Sequence, residues 1–397
     1  MSGQRVLDGV VATVDVHSSF DRPTPMLAHL QAARRRALVV DAGDFFEGSG
    51  YYRLGGGAIE RHVLLSLYDV LAPGNHGWRH HFEPDLRALT VCANAVDTTT
   101  GEPLFRTVRI ERIGGRRVAV TAVIGMDAFA TIPLAERIGH GVIRPELALQ
   151  ELYQRHRDAV DDWIVLSHTG FDHDLALATA CPFVSVIFSG HCHSPQYGPA
   201  RVRDSVVLKG PELGEGYAQV VRQDGGWAAH TSRFPEGIIV APPVSALVAQ
   251  LDAMRERLLQ PIGLLSAPFR DAVLDRRRVL TLIATWLGSC HAAEAVLLND
   301  TSLRPVHLGK VLREGDLMAI EPFANELVRA HLVTADLGTL SVQVGPLLVY
   351  PGPDMPRCAW TTRYLADTFL GGRWNGPPLA LAPIVRTILT GQEGDAS

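Results

Sequence analysis

Histidine, aspartate and asparagine residues recur in five short segments of the first 200 residues. The segments are DVH, DAGD, PGNH, LSHTG and SGHCH, and their polar residues include Asp15, His17, Asp44, Asn75, His76, His168, His191 and His193. Imidazole and carboxylate groups are ligands that suit Zn, Mn or Fe, and the two oxygens of Asp44 could bridge two ions. Two cations about 4 Å apart clamp a phosphoryl oxygen and activate water near neutral pH. The segments together predict a dinuclear metal centre for hydrolysis.

Each segment alone is weaker evidence than the set. A single DVH or GNH is more often a turn with a solvated side chain, and the histidine of LSHTG could be a hydrogen-bonded core residue. SGHCH is more specific, because two histidines flank one cysteine directly after an apolar run. All five segments follow β-rich runs in the same chain, and this favours a metal site over five unrelated turns.

The elements that must position these residues are short apolar runs that alternate with helical stretches. The runs are VVATVDV (10–16), ALVVDAG (37–43), YDVLAPG (68–74), RRVAVTAVIG (116–125), DWIVLSH (162–168), VSVIFSG (184–190), SVVLKG (205–210) and YAQVVRQ (217–223). Several of them end in Gly, Asp or His where the apolar residues stop. This pattern predicts a layered α/β fold with its site at the carboxyl ends of the strands.

A different organisation begins after residue 241. The segment PPVSALVAQLDAMRERLLQPIG (242–263) places Leu247, Leu251, Met254 and Leu258 at helical intervals between proline-containing ends. It predicts a linker helix. The remainder, 264–397, has its own apolar periodicity and proline-rich turns, and we expect a second, α+β domain there. The predicted domains are therefore 1–241 and 264–397, joined by 242–263.

Composition sets the broad class of the protein. The chain has 397 residues, 47% hydrophobic content and a net charge of −5, which give no sign of a nucleic-acid partner. Its five cysteines are widely spaced and form no CxxC pair, as expected of free thiols in a reducing compartment. The sequence lacks an apolar run of about 18–20 residues, and its N-terminus lacks the pattern of a signal peptide. We therefore expect a cytoplasmic protein without membrane association.

The order DxH, GD, GNH, SH and GHxH resembles that of the calcineurin-like metallophosphoesterases. VVDAGDFFEGSG, LSHTGFDHDLALA and VIFSGHCHSP are similar to segments of their 5′-nucleotidase branch, and TGEPLFRTVRIERIGGRRVAVTAVIG resembles its intervening hairpin. LLNDTSLRPVHLGKVLREGDLMAIEPFANELVRAHLV resembles the substrate-binding domain of that branch. The resemblance covers nearly the whole chain. It implies a four-layer α/β/β/α sandwich, a linker helix and a smaller α+β substrate-binding domain.

The resemblance also implies two ligand sets and a reaction. One divalent ion (Mn, Zn, Fe or Co) would bind Asp15, His17, Asp44 and His193, and the other would bind Asp44, Asn75, His168 and His191. The reaction would be hydrolysis of a nucleoside 5′-monophosphate, a small-molecule substrate, with His76 as the catalytic residue beside the phosphate. Cys192 would point away from the ions, although a thiolate ligand is a chemical alternative. The segment 242–263 would contain a hinge.

Substrate-binding residues follow from the same resemblance. Asn299, Arg304 and Phe323 would hold the nucleoside, with Arg304 on phosphate or ribose oxygens and Phe323 stacked on the base. Arg276 would add a further charge, although Arg278 matches nearly as well. Trp374 would be a second stacking aromatic, and its alternative role is that of a packed core residue.

This chain departs from the family pattern at three places. Arg79 stands where an aspartate normally orients the histidine, so Glu83 or Asp85 would have to substitute for that carboxylate. The segments NDTSLR and GGRWNG also differ from their usual forms. These differences favour a modified nucleotide within a dedicated biosynthetic pathway. The alternatives are a cyclic-nucleotide phosphodiesterase or sulfur-ester hydrolase on the same scaffold, or a weakly catalytic nucleotide-binding module.

Overall fold

The computed structural model describes residues 5–223, 225–334, 336–344, 347–350 and 356–391. Contacts between residues divide the chain into two units. The first unit extends to Ala253, apart from residues 48–54 and 133–135, which group with the second unit from Met254 onward. Each unit has a hydrophobic core of its own.

The first unit is built on strands whose aliphatic and β-branched side chains pack well on a pleated surface. The strands are β1 (Gly9–Thr13), β2 (Ala37–Asp41), β3 (Val70–Leu71), β4 (Ala95–Asp97), β5 (Arg109–Ile113), β6 (Arg116–Ile124), β7 (His140–Val142), β8 (Asp162–His168), β9 (Val186–Ser189), β10 (Ala200–Val202), β11 (Ser205–Leu208), β12 (Gly216–Gln223) and β13 (Gly226–Arg233). Every residue of β1, β2, β8 and β9 is buried, as expected of strands covered on both faces.

Helices alternate with these strands. They are α1 (Pro23–Ala33), α2 (Gly50–Gly55), α3 (Ala58–Leu67), α4 (Pro84–Leu89), α5 (Met126–Thr131), α6 (Leu134–Arg137), α7 (Pro145–His156), α8 (Phe171–Ala180) and α9 (Val244–Leu258). A short 3₁₀ helix spans Trp78–Phe82. Among the described residues, no helix of either unit is long and apolar enough to cross a membrane.

Two sheets form the centre of the first unit. One has the strand order β13-β12-β1-β2-β3, and the other has the order β10-β11-β9-β8-β6-β5. Val10 and Val40 of the first sheet share one buried cluster with Val120 and Phe188 of the second, so the sheets pack face to face. Helices α7 and α8 cover the other face of the second sheet, and α1 packs on β2 of the first.

The second unit combines one mixed sheet with helices. Its strands are β14 (Pro261–Leu264), β15 (Ala272–Val273), β16 (Val296–Asn299), β17 (His307–Leu308), β18 (Val311–Arg313), β19 (Glu326–His331), β20 (Leu347–Tyr350), β21 (Cys358–Thr362) and β22 (Trp374–Ala380). Its helices are α10 (Arg276–His291), α11 (Glu314–Ile320), α12 (Asp336–Gln343), α13 (Arg363–Phe369) and α14 (Leu381–Thr390), with 3₁₀ helices at Ala267–Phe269 and Asp300–Ser302. The main sheet has the order β20-β16-β21-β19-β22, and α10 and α14 share the core cluster that includes β16.

The structure confirms most of the predicted elements. The eight apolar runs lie on β1, β2, β3, β6, β8, β9, β11 and β12, and the linker helix is α9. β4, β7, β10 and β13 had no predicted counterpart. They lie at sheet edges and are only partly buried, so their sequences carry no continuous apolar signal. The division between the two units falls within α9, whereas the finer domain limits stay a prediction.

Candidate metal centre

The predicted metal ligands lie at the carboxyl ends of parallel strands in both sheets of the first unit. They are Asp15 and His17 after β1, Asp44 after β2, Asn75 after β3, His168 at the end of β8, and His191 and His193 after β9. Because parallel strands of one sheet end at the same edge, and the two sheets pack face to face, these loops meet at one place.

Asp44 occupies the centre of this cluster. Its Oδ2 lies 3.3 Å from His168 Nε2 and 3.7 Å from His17 Nε2. The Oδ1 of Asn75 lies 3.1 Å from His168 Nε2 and 3.1 Å from His191 Nδ1. Asp44, Asn75, His168 and His191 therefore converge as the resemblance implied for one ion.

The second predicted ligand set is also brought together. Potential ligand atoms of Asp15, His17 and His193 lie within 4.8 Å of one another, and the rings of His17 and His193 are stacked with centroids 5.2 Å apart. His17 and Asp44 belong to a further such group with His76. Candidate metal ligands thus lie on two sides of Asp44. Carboxylate and imidazole groups are donors that suit divalent ions.

Several of these residues are held in a strained backbone conformation. Asp15, His17, Asp44 and His191 have φ values of 47°, 50°, 57° and 76°, in the left-handed region that favours glycine. Each such residue costs on the order of 1 kcal/mol, and this conformation persists only where the surrounding structure enforces it. The clustering of four at one place is typical of a functional site.

Close packing explains the glycines that precede the ligands. A Cβ atom on Gly74 would lie 2.0 Å from Asp44 Oδ1, and one on Gly43 would lie 2.5 Å from His168 Nδ1. Any other residue would displace these ligand side chains. The GD and GNH spacings therefore reflect the space that the ligands themselves need.

Burial and mutual charge shift the pKa values within the cluster. Burial raises the pKa of Asp15 to about 7. Burial would lower the pKa of His168, but the negative charges of Asp44 and Asp15 raise it to about 9. Burial, together with the charge of His168, lowers the pKa of His191 to about 4. A divalent cation favours ionised carboxylates and neutral imidazoles, so it would offset the cost of burying these groups together.

His76 lies beside the ligands and has contacts on both sides. Its backbone N–H donates a hydrogen bond of 2.8 Å to Asp44 Oδ1, and its ring centroid lies 5.0 Å from that of His17. Its Nδ1 lies 3.3 Å from Glu47 Oε2. The predicted catalytic residue therefore adjoins the cluster, with a carboxylate on its outer side.

Cys192 is directed away from the cluster and contributes to the packing of the turn. Its Sγ accepts a hydrogen bond from the backbone N–H of Phe171, the first residue of α8, at 3.1 Å. The prediction that Cys192 points away from the ions leaves out one contact, because its side chain connects the His191–His193 turn to α8.

In the second unit, two of the predicted substrate residues are in contact. The Arg304 guanidinium carbon lies 5.4 Å from the centroid of the Phe323 ring, a cation–π distance. Phe323 is 37% exposed, so part of its side chain is in contact with solvent. Asn299 ends β16, and its Nδ2 donates a hydrogen bond of 2.7 Å to Thr301 Oγ1. Within the described chain, Asn299 Oδ1 is buried and lacks a protein hydrogen-bond donor.

The remaining substrate predictions are less well supported. Arg276 is the first residue of α10, and it is the neighbouring Arg277 that pairs with Asp300 at 2.9 Å. Arg278 lies over the ring of Phe269. These positions leave the role of Arg276 a prediction.

Trp374 has internal partners in the second unit. Its Nε1 donates a hydrogen bond of 2.7 Å to Asp367, and Arg363 lies over its ring at 5.1 Å. In the sheet it pairs with Ala330, whereas Phe323 precedes the start of β19. These contacts favour the packed alternative for Trp374.

Sequence reasoning missed two residues next to the site. Glu47 contacts His76, and Lys209 lies beneath the His191–His193 turn. The sequence feature that could have indicated Glu47 is its position three residues after Asp44, in the same loop. The sequence feature that could have indicated Lys209 is the scarcity of lysine, since the chain has only one other lysine, Lys310.

Comparison with known proteins finds a family match for the part of the chain that carries this geometry. Residues 10–195, which contain all predicted metal ligands and His76, match the calcineurin-like phosphoesterase family. The chain is 24% identical to the endonuclease YhcR of Bacillus subtilis over 93% of this chain and 33% of that protein. It is 25% identical to the snake venom 5′-nucleotidase of Naja atra over 46% of this chain and 37% of that protein. The matches thus span about a third of the length of these curated relatives.

Solved structures agree on the fold. A 5′-nucleotidase precursor from Thermus thermophilus has a TM-score of 0.72 with this chain, 18% sequence identity and coverage of 96% of both chains. At this identity the likeness concerns the fold alone. It confirms the predicted class, a mixed α/β fold. The predicted resemblance to the calcineurin-like phosphoesterases is confirmed by the family match of residues 10–195.

Proposed function

Because the chain carries a calcineurin-like phosphoesterase domain over residues 10–195, we propose that it is a dinuclear-metal-dependent phosphomonoesterase. Its substrate would be a nucleoside 5′-monophosphate or a modified nucleotide, and its products a nucleoside and phosphate. The observation that carries this proposal is the central position of Asp44, whose Oδ2 faces His17 on one side and His168 on the other. That arrangement is suited to two ions that share one carboxylate.

The residues of the cluster fit the role of metal ligands. Asp15, His17, Asp44 and His193 would hold one divalent ion, and Asp44, Asn75, His168 and His191 would hold the other; Mn, Zn, Fe and Co are the candidates. When bound, such a pair of ions polarises a phosphoryl oxygen and activates water at neutral pH. The strained backbone at Asp15, His17, Asp44 and His191 keeps the donor atoms oriented before an ion arrives.

His76 would act on the substrate rather than on the ions. A histidine beside the phosphate can carry a proton and donate it to the leaving alkoxide oxygen as the ester bond breaks. The hydrogen bond from its backbone N–H to Asp44 fixes its position next to the ligands. We therefore assign His76 the role of general acid.

Nucleoside recognition is assigned to the second unit. Arg304 would hold phosphate or ribose oxygens with its planar guanidinium group, and Phe323 would stack on the base. Their mutual contact, and the buried acceptor of Asn299, support a polar and aromatic binding surface there. Arg276 and Trp374 remain secondary candidates.

The test is phosphate release from a panel of nucleoside 5′-monophosphates by metal-stripped protein supplemented with Mn, Zn, Co or Mg. Release should require metal, and Asn75→Ala and His76→Ala should each lower kcat/KM by about 100-fold or more. His62→Ala is the matched control, because His62 is an exposed histidine of α3. Phe323→Ala should raise KM more than it lowers kcat.

The panel should include substrates of the competing activities. These are cyclic nucleotides, sulfate and thiosulfate esters, and a single-stranded oligonucleotide, because one relative is named an endonuclease. Preferential cleavage of any of these would replace the nucleotidase proposal. Tight nucleotide binding without turnover of any substrate would favour a binding module. The absence of nucleic-acid partners and the cytoplasmic location stay predictions.

A further inference from the structure

A carboxylate that contacts the ring of His76 comes from the loop after Asp44. Glu47 Oε2 lies 3.3 Å from His76 Nδ1, although the two residues are far apart in sequence. Glu47 itself has a φ of 65°, in the left-handed region. A glutamate gains nothing locally from this conformation, which costs on the order of 1 kcal/mol, so the surrounding structure must hold it there.

The two carboxylates that the sequence suggested for this role have other partners. Glu83 pairs with Arg61 at 2.6 Å and with His80 Nδ1 at 2.7 Å. Asp85 pairs with Arg61 at 2.8 Å. Both are thus engaged in ion pairs with Arg61, whereas Glu47 contacts the ring of His76.

The charges around Glu47 keep it in the form that accepts a hydrogen bond. Burial would raise the pKa of Glu47, but its hydrogen bond with His76 and the positive charge of Arg79 hold the pKa below its usual value. The positive charge of His80 also lowers the pKa of Glu47. The nearby Glu136 is paired with Arg79. Arg79, at the position of the missing aspartate, therefore helps to keep Glu47 ionised.

We propose that Glu47 is the positioning residue of His76. Its carboxylate accepts the hydrogen bond of Nδ1–H and so fixes both the orientation of the ring and the nitrogen that carries the proton. Nε2 is then the nitrogen that exchanges a proton with the substrate. This inference rests on the proposed function, because it assigns Glu47 a task in the same reaction, but the hydrogen bond can be tested without turnover.

The kinetic test compares Glu47→Ala with Glu47→Gln. Loss of a charge-assisted hydrogen bond should lower kcat by about 10- to 100-fold in Glu47→Ala, with KM nearly unchanged. Glu47→Gln keeps an acceptor oxygen of the same reach and should retain much more of kcat. Glu83→Ala removes the carboxylate of the neighbouring network and should leave kcat within about 2-fold of the wild type.

A double variant distinguishes positioning from other effects. If Glu47 acts through His76, then Glu47→Ala should lower kcat little further when His76→Ala is already present. An equally large loss in both backgrounds would overturn the proposal. So would a Glu47→Ala protein with unchanged kcat.

A spectroscopic readout separates this inference from the proposed function. Long-range ¹H–¹⁵N spectra, with the His76 signals assigned from His76→Gln, report which ring nitrogen is protonated. We expect Nδ1–H in the wild type and a shift towards Nε2–H in Glu47→Ala, whether or not any nucleotide is hydrolysed. Identical His76 spectra in both proteins would refute the positioning role, whereas failure of hydrolysis with the expected spectra would refute only the proposed activity.

Discussion

The ammonium group of Lys209 donates a hydrogen bond of 2.7 Å to the carbonyl oxygen of Cys192. A second bond of 2.7 Å goes to the carbonyl of Ser194, and Glu212 completes the set as an ion-pair partner. Lys209 is fully buried. Burial of an ammonium group costs free energy unless its charge is paired and hydrogen-bonded, as it is here. These bonds fix the turn that presents His191 and His193 to the cluster.

Replacing Lys209 should therefore weaken metal binding without touching a ligand. In Lys209→Met the two carbonyl groups lose their donor and the turn loses its support, so we expect about 10- to 100-fold weaker affinity for the ions. Metal content after dialysis against a graded series of chelator concentrations would measure this. Lys310→Met is the control, because Lys310 is exposed and is the only other lysine of the chain. Equal metal affinity in both variants would contradict the role of Lys209.

The hydrogen bond between Phe171 N–H and Cys192 Sγ makes a separate prediction. Cys192→Ser keeps an acceptor atom at the start of α8, whereas Cys192→Ala removes it. We expect faster hydrogen exchange of the Phe171 amide and several-fold weaker metal binding in the alanine variant, with smaller changes in the serine variant. Equal amide exchange and equal metal binding in Cys192→Ser and Cys192→Ala would show that the Cys192 sulfur contributes only packing.

The shared position of Asp44 predicts how many ions each variant retains. Asn75→Ala and Asp15→Ala each remove a ligand from one side of the cluster, so each should retain about one ion per chain under conditions in which the wild type binds about two. Asp44→Ala removes the donor that faces both sides and should lose both. Elemental analysis of desalted protein gives these ratios. Retention of two ions in Asp44→Ala would exclude a bridging role.

The convergence of the candidate ligands was predictable because their placement depends on local sequence. A buried strand ends where its apolar run ends, and a loop that starts with glycine presents the next polar side chains at the sheet edge. Asp44 and His168 follow this rule, and their glycine neighbours leave the space that these side chains need. Sequence alone also indicates that such edges meet, because parallel strands share a direction.

The supporting residues were not predictable in the same way. Glu47 contacts His76 from a left-handed backbone conformation, which its residue type does not favour. Lys209 reaches the His191–His193 turn from the end of β11, a contact that depends on strand order in the folded sheet. Sequence alone did not distinguish a stacking role of Trp374 from a packing role, because a tryptophan two residues after a glycine pair is compatible with both.

A last prediction concerns Asp41, a buried carboxyl group beneath the cluster. Its Oδ2 accepts a hydrogen bond of 2.6 Å from Thr13 Oγ1, which also lies 2.9 Å from the hydroxyl of Tyr68, and its Oδ1 accepts one of 3.0 Å from Gly43 N–H. Burial raises the pKa of Asp41 to about 8, and these two hydrogen bonds do not compensate for it. The folded protein therefore keeps a proton on Asp41 that the unfolded chain releases above about pH 4.

The sign of the pH dependence follows from this proton. Between about pH 4 and pH 8 Asp41 carries more protons in the folded state than in the unfolded state. Its contribution to the free energy of unfolding of metal-stripped protein should therefore fall as pH rises, by up to about 1.4 kcal/mol per pH unit. Asp41→Asn should abolish the contribution of Asp41, because an amide can accept from Gly43 and donate to Thr13 at every pH. Urea unfolding at pH 5, 6, 7 and 8 compares the two slopes. Other buried groups with shifted pKa values would leave a residual slope in the variant, among them Asp15 with a pKa of about 7 and His168 with a pKa of about 9. Parallel pH profiles for the wild type and Asp41→Asn would show that Asp41 is already ionised in the folded protein.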